Sequence, residues 1–109
     1  MTAAKSLTAA ELETALAYTA TREHAVRNRA MLLTTVLAGM RVSEAAALTI
    51  ADVRNADGSV RSEIYLASHR VKHGHARTVY ISTRLQAELA TYIASRTWHT
   101  HSQPFFYTG

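Results

Sequence analysis

Gly39 is the residue that most restricts how this chain can fold. It lies near the end of a run from Ala25 to Met40 that is nearly all helix formers, whose broad apolar face carries Met31, Leu32, Val36 and Met40. A glycine after the last apolar turn tolerates positive φ and lets the backbone bend sharply, so the helix is expected to end there. Helix formers resume at Ser43 and continue to Leu48, with Ser43 as the expected cap and Glu44 near the positive end of the new helix dipole. Arg41 falls in the corner between the two helices. An arginine placed there is held by its neighbours on both sides and does not swing freely.

The rest of the chain can be read around that corner. Thr8 and Glu11 have the spacing of a capping box, and a first helix is expected from Thr8 to Tyr18 with Leu12, Ala15 and Leu16 inward. A second is expected from Arg22 to Leu37. Its Met31, Leu32, Leu33, Val36 and Leu37 are too apolar for a surface helix, so it should be largely buried, while Arg27 and Arg29 read as a solvated face. Ala51 to Gly58 reads as a connector closed by the Asp57-Gly58 turn signal. Approximate alternation then sets Val60, Ser62, Ile64 and Leu66 against Arg61, Glu63 and Tyr65, as in a strand packed on one face. The segments Ser68 to Lys72 and Arg77 to Ile81 flank a loop of His73, Gly74, His75 and Ala76, which reads as a hairpin. Thr83 and Gln86 repeat the capping-box spacing ahead of a last helix to Ser95, with Leu85, Leu89, Tyr92 and Ile93 as its apolar stripe. Beyond it, Trp98 and the Pro104-Phe105-Phe106-Tyr107 run are apolar enough to pack. The expected architecture is α+β: four helices and a three-stranded antiparallel sheet between Val60 and Ile81.

Composition narrows the function classes. At 109 residues the chain suits one small domain, and it has no cysteine, hence no disulfide framework and no thiolate zinc site. No apolar run is long enough to cross a membrane, and the first residues lack the apolar core of a signal peptide, so the cytoplasm is the expected compartment. The formal charge is +4, and much of the basic character lies in one stretch. Between Arg54 and Arg84 stand Arg61, Arg70, Lys72 and Arg77 with His69, His73 and His75, against only Asp57 and Glu63. Such a stretch makes one strongly positive face, which is either a solvated hairpin or a surface for a polyanion. The His73/His75 and His99/His101 pairs could chelate, but no carboxylate or cysteine stands beside them, so no metal and no cofactor is expected.

Two motifs carry a family resemblance. Ala38-Gly39-Met40-Arg41-Val42-Ser43-Glu44, continued by Leu48 and Asp52, resembles the first arginine box of the tyrosine recombinases, the phage-integrase family. Lys72-His73-Gly74-His75-Ala76-Arg77-Thr78-Val79-Tyr80-Ile81 resembles that family's hairpin lysine box. Both occur in the family's order with a turn-rich connector between them.

The resemblance implies DNA strand breakage and rejoining, in which a tyrosine attacks a phosphodiester and a 3′-phosphotyrosyl link results. Charge then develops on the non-bridging oxygens. An arginine fork suits that charge because it gives paired charge-assisted hydrogen bonds and keeps its proton, which makes Arg41 the catalytic candidate. The other role open to Arg41 is structural, bonding helix carbonyls or pairing with Glu44. A hairpin lysine can protonate the leaving 5′-oxygen, which makes Lys72 the second candidate, with an exposed turn lysine as its alternative. By the same resemblance Glu44 orients its neighbours, and Arg70, His73, His75 and Arg77 meet double-stranded DNA.

The family's later His-x-x-Arg box and nucleophilic tyrosine have no counterpart after Lys72; His24 and Arg27 have that spacing but precede Arg41. Tyr107 lacks the helical context of the nucleophile, and Tyr92 lies on an apolar stripe. Residues 1–109 are therefore expected to be one partial catalytic domain, without the half that holds the nucleophile. Two readings stay open: part of a recombinase that binds DNA phosphate but is catalytically incomplete, or a non-catalytic DNA-binding or regulatory remnant. A half-domain is also expected to expose apolar surface and to form a homo-oligomer through it.

Overall fold

The structure, a computed structural model, describes residues 7–20, 24–67 and 75–107. The capping box expected at the start forms: the Glu11 amide donates to Thr8 Oγ1 at 3.1 Å, and the Thr8 amide donates to Glu11 Oε1 at 2.9 Å. It opens α1 (Ala9–Thr19), which buries Leu12 and Leu16. The second helix, α2 (Ala25–Ala38), packs against α1 and buries Ala30, Leu33, Thr34 and Thr35. Two buried threonines in a helix need acceptors, and both find them within α2: Thr34 donates to the Ala30 carbonyl at 2.8 Å and Thr35 to that of Leu32 at 2.9 Å. Arg22, where this helix was expected to begin, lies outside the described residues.

Gly39 ends α2 as expected, at φ 70° and ψ 26° in the left-handed region. The next helix, α3 (Val42–Ala46), begins one residue earlier than expected, and its cap position is Arg41 rather than Ser43. A further short helix, α4 (Ile50–Val53), stands where a connector was expected. Its cause is local: Asp52 Oδ2 accepts the Thr49 amide at 2.8 Å and the Thr49 hydroxyl at 3.0 Å, so Thr49 and Asp52 close a first turn. The chain thus has five helices among the described residues, not four.

The expected three-stranded sheet is also corrected. Among the described residues the sheet has two antiparallel strands, β1 (Glu63–Leu66) and β2 (Arg77–Tyr80), with Ile64 opposite Val79 and Leu66 opposite Arg77. Val60 does not extend β1. The turn from Asn55 to Ser59, closed by the Asn55 amide on the Ser59 carbonyl at 2.7 Å, folds Val60 back into an isolated bridge with Arg54. The expected strand from Ser68 to Lys72 lies outside the described residues.

The last helix, α5 (Thr83–Ala94), packs against α2 and is capped by the Ser82 hydroxyl rather than by Thr83; Gln86 instead donates to the Ile81 carbonyl at 2.9 Å. Leu85, Leu89 and Tyr92 are buried on its inner face, and burying each leucine contributes about 1.5–3 kcal/mol. After α5 the chain returns across the core. Phe105 is fully buried, its amide donates to the Leu48 carbonyl at 2.8 Å, and its carbonyl accepts the Tyr92 hydroxyl at 2.8 Å. Trp98 stacks on Phe105 with ring centroids 5.5 Å apart. The return of this aromatic segment fixes the far side of the loop that follows α3, where Thr49 forms an isolated bridge with Pro104.

Candidate functional site

The corner at Gly39 sets up the site. Arg41 is half-buried and extended, at φ −72° and ψ 152°, and its backbone amide donates to Glu44 Oε1 at 2.9 Å. The Glu44 side chain is 2% exposed. A carboxylate so deeply placed requires a counter-charge, because removal from water costs several kcal/mol per ion. Arg77 supplies it: its Nη2 lies 2.7 Å from Glu44 Oε1 and 3.5 Å from the Gly39 carbonyl. Oε1 thereby accepts both the amide of the arginine corner and the guanidinium from β2. The other oxygen, Oε2, is buried without a hydrogen-bond partner among the described residues.

The pairing of Glu44 with Arg77 crosses 33 residues of sequence and was not foreseen, since Arg77 was assigned only to DNA. Its signal was present in the alternation. Arg77, Val79 and Ile81 share one phase, Val79 and Ile81 are buried, and Arg77 therefore starts on the core-facing side of β2. The side chain of Arg77 remains 38% exposed, so the guanidinium stands at the edge of the core with part of its surface in water. Among the expected site residues, the structure brings together Arg41, Glu44 and Arg77. It leaves His75 exposed on the approach to β2. Arg70, Lys72 and His73 lie outside the described residues.

The tyrosines are also placed. The Tyr92 hydroxyl is occupied by the Phe105 carbonyl and the Tyr107 amide. The Tyr107 hydroxyl donates to the Thr97 carbonyl at 2.6 Å, and the Arg96 guanidinium lies 4.0 Å from its ring centroid. Tyr65 and Tyr80 are more than half exposed on the outer face of the sheet. Among the described residues no group of three histidine, aspartate or glutamate side chains is arranged to hold a metal ion, and no helix is long and apolar enough to cross a membrane. Arg29 is exposed as expected and also forms a two-pronged pair with Glu88 of α5, at 3.0 and 2.9 Å.

The arginine corner is thus braced by a buried carboxylate, and that carboxylate is tied to Arg77 at the start of β2. A model of the phage integrase family matches residues 5–106. The chain belongs to the phage integrase family. This match spans both boxes, α5 and the aromatic return, so the likeness is not confined to the arginine corner. Membership gives the protein a role in recombination, with DNA as the partner. No curated protein matches the chain, and no solved structure matches it.

Proposed function

We propose that these residues supply the arginine and lysine of a tyrosine-recombinase catalytic centre acting on double-stranded DNA in the cytoplasm. Arg41 binds the non-bridging oxygens of the scissile phosphate, where negative charge grows as the attacking tyrosine adds to phosphorus. Lys72 gives its proton to the 5′-oxygen as the P–O5′ bond breaks. Glu44 fixes the backbone of Arg41 and the guanidinium of Arg77, and so keeps the corner and the hairpin strand in register. Arg70, His73, His75 and the water-facing side of Arg77 hold the neighbouring backbone phosphates. The observation that carries this reading is the double use of Glu44 Oε1, 2.9 Å from the Arg41 amide and 2.7 Å from Arg77.

Residues 1–109 hold no His-x-x-Arg after Lys72, and the Tyr107 hydroxyl is occupied by a backbone carbonyl. By themselves they should bind duplex DNA without cleaving it, as a partial catalytic domain. That binding should rest on phosphate contacts, weaken steeply with salt and lose affinity about equally for unrelated sequences in Lys72→Ala. Fluorescence anisotropy across a salt series is the measurement, and salt-insensitive or absent binding would sink the reading. Incubation with a nicked suicide duplex, followed by denaturing electrophoresis, tests the chemistry. A covalent adduct abolished by Tyr107→Phe would show that the nucleophile is present after all. The occupied Tyr107 hydroxyl also favours the second reading, a DNA-binding or regulatory protein without cleavage. Exposed Tyr18 and Val26, on α1 and α2, support self-association; light scattering that finds a monomer at all concentrations would count against it.

A further inference from the structure

Three basic side chains, two from either side of one turn and the third forty residues further along, meet outside the arginine corner. Arg54, Arg61 and His101 line one depression of about 380 Å³, with Gly58 and Ala51 in its wall. Backbone hydrogen bonds fix all three segments. The Arg54 amide donates to Ile50 at 2.9 Å, the Arg61 amide to Val53 at 2.7 Å, and the His101 carbonyl accepts the Ala51 amide at 3.2 Å. The intervening turn is closed again through its side chains, with Asn55 Nδ2 donating to Ser59 Oγ at 3.0 Å. The three side chains therefore sit on a preformed frame, which lowers the ordering cost of binding.

The charges in the depression are unevenly occupied. Arg54 is half-buried, yet its guanidinium has no hydrogen bond or ion pair with any described residue. The Nε of Arg61 is anchored on the Ala51 carbonyl at 3.3 Å, which leaves the two terminal nitrogens of its fork. The ring of His101 is likewise unpartnered among the described residues. One carboxylate shares the wall, that of Asp57. It is turned into its own loop, where it accepts the Ser59 amide at 2.9 Å and the Ser59 hydroxyl at 2.6 Å. Being fully exposed, it is also screened by solvent. Asp52, on the neighbouring helix α4, spends Oδ2 on Thr49.

We propose that Arg54, Arg61 and His101 form a second anion site that takes a phosphate group, separate from the Arg41 corner. Two arginines converging on one depression offer the planar, several-pronged donor set that phosphate oxygens accept best. The same chemistry would serve a phosphate of bound DNA or a free phosphate or phosphomonoester. No residue assigned to the arginine corner or the lysine hairpin lies in this depression, so the site extends the contact surface beyond the function proposed above.

The test uses the 109-residue chain labelled with nitrogen-15 and inorganic phosphate as the probe. The Nε–H signals of Arg54 and Arg61 should move saturably with phosphate and not with chloride at equal ionic strength. Arg54→Gln should weaken phosphate binding about tenfold, while Arg84→Gln leaves it unchanged. Arg61→Gln repeats the test from another segment should Arg54→Gln fail to fold. In a second arm, binding to a short duplex is measured across salt for wild type and Arg54→Gln. A salt slope reduced by about one identifies a DNA backbone phosphate as the occupant. An unchanged slope with lost phosphate binding identifies free phosphate or a phosphomonoester. Signals that do not saturate, or that move equally in Arg54→Gln, overturn the site. Lys72→Ala tests the recombinase reading separately, because Lys72 is no part of this depression.

Discussion

Two arginine–carboxylate pairs of this protein are similar in length and opposite in setting. Arg29 and Glu88 meet through two prongs between α2 and α5, with side chains 45% and 25% exposed. Arg77 and Glu44 meet at 2.7 Å through a single guanidinium nitrogen, with side chains 38% and 2% exposed. The first pair has the better fork geometry. The second has the greater consequence, because water can replace a lost partner at Glu88 and cannot at Glu44. Burial is also lopsided within the inner pair: the carboxylate is enclosed and the guanidinium is not. Removing the arginine strands a charge, whereas removing the acid merely returns an arginine to solvent.

Substitutions can break or sharpen that contrast, and urea unfolding reads each of them. The largest effect is expected from Arg77→Ala, which leaves the buried Glu44 carboxylate with the Arg41 amide as its remaining donor. A loss of about 3 kcal/mol is expected. Glu44→Gln keeps an acceptor for the Arg41 amide and frees Arg77 to hydrate, so about 1–2 kcal/mol should be lost. Arg29→Ala should cost less than about 1 kcal/mol, with the difference vanishing in concentrated salt. If Arg29→Ala proved as costly as Arg77→Ala, burial would not be what separates the pairs.

The smallest effect is in pH. The hydrogen bond from Arg29, helped by that charge against a small desolvation penalty, holds the Glu88 carboxyl below its ordinary value. A depressed carboxyl stabilises the fold above the unfolded-chain value and ceases to do so as pH falls through the folded value. Wild type should therefore lose stability slightly faster than Glu88→Gln as the solution is acidified below the ordinary glutamate range. Equal acid sensitivity of the two chains would show that the outer pair adds nothing measurable.

What was legible in the sequence was mostly local. The Thr8 and Glu11 box, the stop at Gly39 and the apolar stripe of α5 each act within a turn or two of the residues that cause them. The brief helix α4 was missed although Thr49 and Asp52 carried the same capping signal, because Asp52 was read as part of the arginine box and of a connector and not as a cap partner. Val60 was misplaced because alternation reports which face a residue takes and not which strand it pairs with; the Asn55–Ser59 turn decided that. At the site, Arg41 and Glu44 could be put in one corner from adjacency. For Arg77 the alternation gave the inward face but not the partner, since the pair joins residues 33 positions apart. The meeting of His101 with Arg54 and Arg61 was invisible for the same reason, as it depends on the return of the chain after α5 past Ala51.

The bend at Gly39 has a further implication. An added Cβ would meet nothing within 4 Å, although φ is +70°. No neighbour therefore enforces glycine there; the requirement comes from the handedness of amino acids. An L-residue would be penalised by its own backbone, by about 1–2 kcal/mol, and by nothing else. The position is in effect a torsion balance: a series of residues substituted there would weigh intrinsic left-handed preference free of crowding, with the direction of Arg41 as the pointer.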